Sequence, residues 1–195
     1  MNLPRLLVLT DRHQAGRPLV DVVAAAVDGG ARAVVLREKD LPRVERARLA
    51  AELRPILTAA GGVLIAASDP TIPADGVHLA ANDPTPVPRP GLVGRSCHTP
   101  ATLVAAATEG CNWATLSPIF ASISKPGYGP PLGSTSLRDG PLPVYALGGI
   151  DASRAAACVA AGAVGVAVMG DVMRAEHPET VVAALLRALD AEAGR

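Results

Sequence analysis

The stretch VYALGGIDASRAAACVAAGAVGVAVMG, residues 144–170, carries two short apolar runs, VYAL and VGVAV, on either side of an Ala-rich segment. Gly148-Gly149 follows the first run, Asp151 precedes the Ala-rich segment, Gly162 ends it, and Gly170 follows the second run. Near-continuous apolar runs without in/out alternation are the pattern of parallel strands covered on both faces. An Asp ahead of the segment and a glycine behind it are the ordinary start and stop of a helix. The stretch therefore reads as strand, helix, strand, and the rest of the chain repeats that unit.

Working outward, strands are predicted at residues 6–9, 33–36, 63–66, 76–79, 92–94, 113–116, 144–147 and 164–168, and helices at 19–27, 42–60, 100–108, 152–161 and 178–191. Pro42 suits a first helical turn, and Thr99 can cap the helix that follows it. Eight strands with intervening helices and no break in composition point to one domain over residues 1–195, an α/β fold of the (β/α)8 TIM-barrel type. At 195 residues it is compact, since such barrels run to about 250. The missing length is visible: SDPTIPAD (68–75) holds two prolines and AANDPTPVPRP (80–90) holds four. The third and fourth helices are therefore expected to be replaced by loops. An open flavodoxin-like or Rossmann sheet is the alternative, but LLVLTDRHQAG around the first strand has no G-x-G-x-x-G.

Composition bounds the function. Residues are 49% hydrophobic, 18% charged and 2% aromatic, and 18 Lys+Arg balance 18 Asp+Glu. A neutral chain without clustered cations and aromatics lacks the footprint of a nucleic-acid binder. The first ten residues hold only four consecutive apolar ones, too few for a signal peptide or a membrane span, so a cytoplasmic protein with no membrane partner is expected. Cys97, Cys111 and Cys158 form no CxxC pair and read as buried free thiols. An outer helix face packed on a second copy reads like one packed on a barrel, so a homo-oligomer is left open.

In a barrel of this kind the active site forms where strands end and βα loops begin. The polar residues there are Arg37, Glu38 and Lys39 after strand two, Ser68 and Asp69 after strand three, and Asp83 after strand four. Ser96, Cys97 and His98 follow strand five, and Ser117, Ser122, Ser124 and Lys125 follow strand six. Arg37 and Lys39, two apart on an extended chain, point the same way into the mouth, while Glu38 turns toward a neighbouring loop. Asp69 and Asp83 together suit Mg2+, which takes one or two carboxylates and completes its sphere with water and phosphate oxygens. Gly148, Gly149 and Gly170 let backbone N–H groups approach an anion, and barrel phosphate sites use the loops after strands seven and eight. Each feature alone has a plainer reading: turn residues for the two aspartates, tight turns for the glycines, a core histidine at His78 and a loop or capping role for His98. Taken together they point to phosphorylated small molecules.

The motifs LREKD (36–40), ADGVHL (74–79), GRSCHT (94–99), LSPIFASISKPGYGPPLG (116–133), YALGGI (145–150) and GAVGVAVMG (162–170) occur in an order that resembles the thiamine phosphate synthase / TenI superfamily. That resemblance implies a (β/α)8 barrel that joins hydroxymethylpyrimidine diphosphate to hydroxyethylthiazole phosphate, giving thiamine phosphate and pyrophosphate. It further implies that Arg37 and Lys39 hold the diphosphate, that Asp69 and Asp83 bind Mg2+, and that Ser96 and Lys125 touch the diphosphate side. By the same resemblance Ser122 and Ser124, where the family usually has threonines, would contact the thiazole phosphate, and Gly148 and Gly149 would donate backbone N–H groups to it. The chain also departs from the family pattern. Val35 stands where a Gln helps recognise the pyrimidine, Ser68 where an Asn precedes the metal Asp, Ala80-Ala81 where Gly-Gln is usual, Ser117 where a Gly is usual, and Gly170 where a serine closes the last phosphate loop. The TenI branch, a thiazole tautomerase, uses a histidine where this chain has Pro118, so that alternative would need His98 as its acid/base. A non-catalytic binder of thiazole phosphate is the third reading.

Overall fold

The structure, a computed structural model, describes residues 3–121 and 130–193. Eight parallel strands, β1 (Leu6–Leu9), β2 (Ala33–Leu36), β3 (Val63–Ala67), β4 (Gly76–Leu79), β5 (Val93–Cys97), β6 (Trp113–Leu116), β7 (Val144–Leu147) and β8 (Gly165–Val168), close into a barrel in sequence order. Closure comes from β8 pairing with β1, where Leu6 lies opposite Val166 and Val8 opposite Val168. Outside it pack α1 (Leu19–Asp28), α2 (Arg43–Ala59), α3 (Pro100–Thr108), α4 (Ala152–Ala160), the single turn α5 (Gly170–Met173) and α6 (Pro178–Ala193). Thr99 and Asp151 cap α3 and α4 as their positions predict. Among the described residues no helix is long and apolar enough to cross a membrane.

Strand alternation sorts the core in two. Leu6, Val8, Val34, Leu36, Leu64 and Ala66 face the helices, and Leu7, Leu9, Ala33, Val35, Ile65, Ala67, Trp113, Tyr145 and Ala167 fill the interior. Three neighbouring strands share one interior layer: His78 lies opposite Gly94, and Gly94 opposite Trp113. Without a side chain on the middle strand, the His78 ring reaches across and stacks on the indole, centroids 4.7 Å apart and planes 15° from parallel. A Cβ at Gly94 would fall 2.6 Å from the indole Cδ2. Tyr145 meets the other side of Trp113 edge-on at 5.7 Å and donates its hydroxyl hydrogen toward the carbonyls of Leu3 and Pro4, closing the far end of the barrel.

No helix follows β3 or β4, as the prolines predict. Two buried arginines serve the loops left in their place. Arg46, from α2, donates to the Ala67 carbonyl at 2.5 Å. Arg95, outward on β5, donates to the carbonyls of Ala80, Ala81 and Asp83 at 3.0, 3.2 and 2.8 Å and pairs with Glu109 at 2.7 Å. The Arg95 bonds give carbonyls of the loop after β4 partners that helical hydrogen bonding would otherwise supply. The strand-five expectation is too short: β5 continues to Cys97 because Ser96 and Cys97 still pair with Thr115 and Leu116, and Gly94 is an interior position rather than a strand end. Cys97, Cys111 and Cys158 are all buried free thiols.

Candidate active site

A cavity of about 850 Å³ opens at the C-terminal ends of the strands. Arg37, Lys39, Ser96, His98, Gly148, Gly149 and Gly170 all line it, so the structure brings these seven predicted residues together. Ser68, Asp69 and Asp83 are not among its lining residues. Ser122, Ser124 and Lys125 lie outside the described residues.

Val35 faces the interior, and the alternation continues past β2, turning Arg37 and Lys39 toward the cavity and Glu38 away from it. The Arg37 backbone N–H donates to the Thr10 hydroxyl at 2.9 Å, and its guanidinium donates to the Thr10 carbonyl at 3.3 Å and to Met169 Sδ at 2.7 Å. Glu38, 3% exposed, accepts from the Arg12 backbone N–H at 3.2 Å and from Arg12 Nη1 at 3.2 Å. Arg12 also forks onto Asp40 at 2.7 and 2.5 Å, and the bond to Arg12, backed by one to His13, holds the Asp40 carboxyl far below its usual range. The loop after β1 thereby clamps the loop that carries the two cations.

At the cavity floor, His78 Nε2 lies 3.3 Å from the Thr115 hydroxyl and 3.5 Å from that of Ser96. Burial first, then the charges of Lys39 and Arg37, lower its pKa to about 3, so the ring is neutral. The sequence reading leaves His78 in the core; pairing with Gly94 and with Ala67, an interior residue, turns it inward. Above it, His98 Nδ1 lies 2.9 Å from the Ser117 carbonyl, an acceptor only, so this nitrogen carries the proton.

Gly148 and Gly149 sit at φ +95° and +63°. Cβ atoms there would lie 2.9 Å from Pro118 Cα and 2.9 Å from Phe120 Cβ. Both conformation and space therefore demand glycine, and the bare backbone forms the wall after β7. Beside it stands Arg154, which donates to the Gly149 carbonyl at 2.6 Å and lies 5.0 Å from the Phe120 ring centroid. After β8 stand Gly170, Asp171 and Arg174, with the Arg174 guanidinium donating to the Gln14 side-chain carbonyl. Arg154, Asp171 and Arg174 were missed from sequence, because charged residues at the ends of helices read as solvated surface residues. Burial, then the charge of Asp151, pushes the Asp171 carboxyl up.

Asp69 and Asp83 are both held ionised. Burial works against Asp69, but the Thr71 hydroxyl at 2.6 Å and N–H at 2.9 Å outweigh it. Burial likewise opposes Asp83, and the nearby Ser68 hydroxyl, the Ala80 N–H at 2.7 Å and the Lys39 charge overcome it. Ser68 Oγ is buried near that carboxylate yet outside hydrogen-bond geometry, and the residue sits at φ +63°, a conformation that Asn adopts more readily than Ser. Among the described residues no three His, Cys, Asp or Glu side chains gather to hold a metal. Two ionised carboxylates on adjacent strand ends are a donor set that suits Mg2+, which draws its remaining ligands from water and phosphate.

The sequence model of a family described as thiamine monophosphate synthase matches residues 6–172. A thiamine-phosphate synthase of Roseiflexus castenholzii is 40% identical over 91% of this chain and 85% of its own length. One of Methanoculleus marisnigri is 41% identical over 93% of each. Among solved structures, a thiamine phosphate pyrophosphorylase from Pyrococcus furiosus superposes with a TM-score of 0.85 at 25% identity, over 96% of both chains.

Proposed function

This chain belongs to the thiamine monophosphate synthase family, and from that premise we propose that its cavity joins hydroxymethylpyrimidine diphosphate to hydroxyethylthiazole phosphate, releasing pyrophosphate and giving thiamine phosphate. The observation that carries the reading is the placement of Arg37 and Lys39 side by side on one wall of the cavity and of bare glycine backbone on the loops after β7 and β8. One wall suits a diphosphate and the other a monophosphate. The whole chain, residues 1–195, acts as one unit in this reading.

The reaction breaks the bond between the exocyclic methylene carbon of the pyrimidine and a diphosphate oxygen, which keeps the electron pair. The thiazole ring nitrogen then bonds to that carbon. No side chain need attack, so the rate comes from charges fixed in advance where pyrophosphate departs. Arg37 and Lys39 supply two of them, and the Arg12–Glu38–Asp40 clamp holds their loop. Ser68, Ser96 and Lys125 bind on the diphosphate side, and Ser122 and Ser124 on the thiazole-phosphate side with the N–H groups of Gly148, Gly149 and Gly170. Asp69 and Asp83 would hold Mg2+, which when bound supplies further positive charge to the leaving group. His98 has no proton to move in this chemistry. The tautomerase alternative is not favoured, since residue 118 is a proline packed against Gly148.

Steady-state kinetics of Arg37→Met and Lys39→Met test the assignment. Each is expected to lower kcat/KM for the pyrimidine diphosphate about 100-fold or more, the loss of a charge-assisted contact to a developing anion, while affinity for thiazole phosphate is unchanged. Retained turnover in both variants would remove the two cations from the mechanism.

A further inference from the structure

Gly170 poses a question that its backbone does not answer. Its φ is not in the left-handed region, so no conformational demand requires glycine there. What occupies the space of a side chain is Arg174, four residues on, whose guanidinium folds back across the turn of α5. A Cβ at residue 170 would lie 2.7 Å from Arg174 Cζ and 2.7 Å from Nη2, and closer still to Nη1. The guanidinium is held from β1's loop: Asp11 Oδ2 accepts from Gln14 Nε2 at 2.6 Å, and the Gln14 side-chain carbonyl accepts from Arg174 Nη1. Gly170 and Arg174 both line the cavity, together with Gly148, Gly149 and Arg154.

We infer that Arg174, seated over Gly170, is the phosphate anchor of this chain's thiazole-phosphate pocket, taking the position that a side chain at residue 170 would otherwise fill. The inference rests on the proposed function for the identity of the ligand and deepens it. A guanidinium is charged at every physiological pH and presents N–H donors in a planar fork that matches two phosphate oxygens. Asp151, one acid on this wall, is engaged by the Ser153 hydroxyl at 2.6 Å and the Arg154 N–H at 3.1 Å. Asp171 is a second acid beside the pocket, and Arg174 offsets its charge. The smallest residue at 170 and the large cation at 174 thus form one unit, because the guanidinium occupies the space that a side chain at 170 would need.

Calorimetric titration tests this without turnover. Thiazole phosphate, inorganic phosphate and the unphosphorylated thiazole alcohol are titrated into wild type, Arg174→Ala, Arg174→Lys and the double variant Gly170→Ser/Arg174→Ala. Arg174→Ala is expected to weaken thiazole phosphate and inorganic phosphate about 10- to 100-fold, the size of a charge-assisted hydrogen bond, and to leave the alcohol unchanged. Arg174→Lys keeps part of the affinity, and the added serine hydroxyl recovers about threefold or more over Arg174→Ala. Unchanged thiazole-phosphate affinity in Arg174→Ala, or an equal loss for the alcohol, overturns the anchor and leaves the synthase reading standing. Wild-type binding of inorganic phosphate that depends on Arg174, without any preference for thiazole phosphate, keeps the anchor and overturns the ligand.

Discussion

Lowering the pH from 7 to 5 is expected to cost this protein stability through one side chain, His78. The ring is 5% exposed, stacked 4.7 Å from Trp113, with a pKa lowered from 6.5 to about 3 by burial and by Lys39 and Arg37. Below pH 6.5 the unfolded chain takes up a proton that the folded protein refuses, so stability falls as pH falls. The loss continues until the folded form also protonates near pH 3. At pH 5 it amounts to about 2 kcal/mol. Carboxyls with lowered pKa values, such as Asp69 and Asp83, lose their contribution only at more acidic pH, outside this window. Asp171, whose pKa is raised, works in the opposite sense and cancels between wild type and variant. Urea unfolding followed by fluorescence of Trp113, the one tryptophan, at pH 7 and pH 5 for wild type and His78→Gln measures the difference. Wild type should lose about 2 kcal/mol more than the variant on acidification. Equal losses would refute the placement of a neutral histidine in the barrel interior.

Two further outcomes follow from the same geometry. Gly94→Ala drives a methyl group into the indole of Trp113, 2.6 Å from Cδ2, and should lower the unfolding free energy by about 1–3 kcal/mol in urea titration. Glu38→Gln removes the buried charge that Arg12 clamps, and should lower stability by about 1–3 kcal/mol and raise KM for the pyrimidine diphosphate while thiazole-phosphate affinity, read by calorimetry, holds.

The barrel was legible because each apolar run, glycine stop and Asp or Thr cap agreed with the others, and the prolines at 68–75 and 80–90 showed where helices could not form. What replaces those helices was not legible: no spacing marks Arg46 or Arg95, yet each is buried on carbonyls that only the closed barrel brings within reach. The Arg37/Lys39 wall followed from the period of two, and Glu38 turned away as that period requires. By contrast, the pairing of Gly170 with Arg174 depends on how a side chain folds back over one turn, which spacing alone does not fix. Likewise the stack of His78 on Trp113 needs the register of three strands, with Gly94 between them. Ser68 sits at φ +63°, a conformation that Asn adopts more readily than Ser, and no spacing in the sequence announces it.

Synthesis of thiamine phosphate in this cavity with the help of a divalent cation is read directly from product formation. Purified protein is incubated with the pyrimidine diphosphate, the thiazole phosphate and Mg2+, with and without excess EDTA, and thiamine phosphate is measured by its fluorescence after oxidation. Product is expected with Mg2+ and none with EDTA; absence of product in both, from protein that binds thiazole phosphate, would rule the synthase activity out.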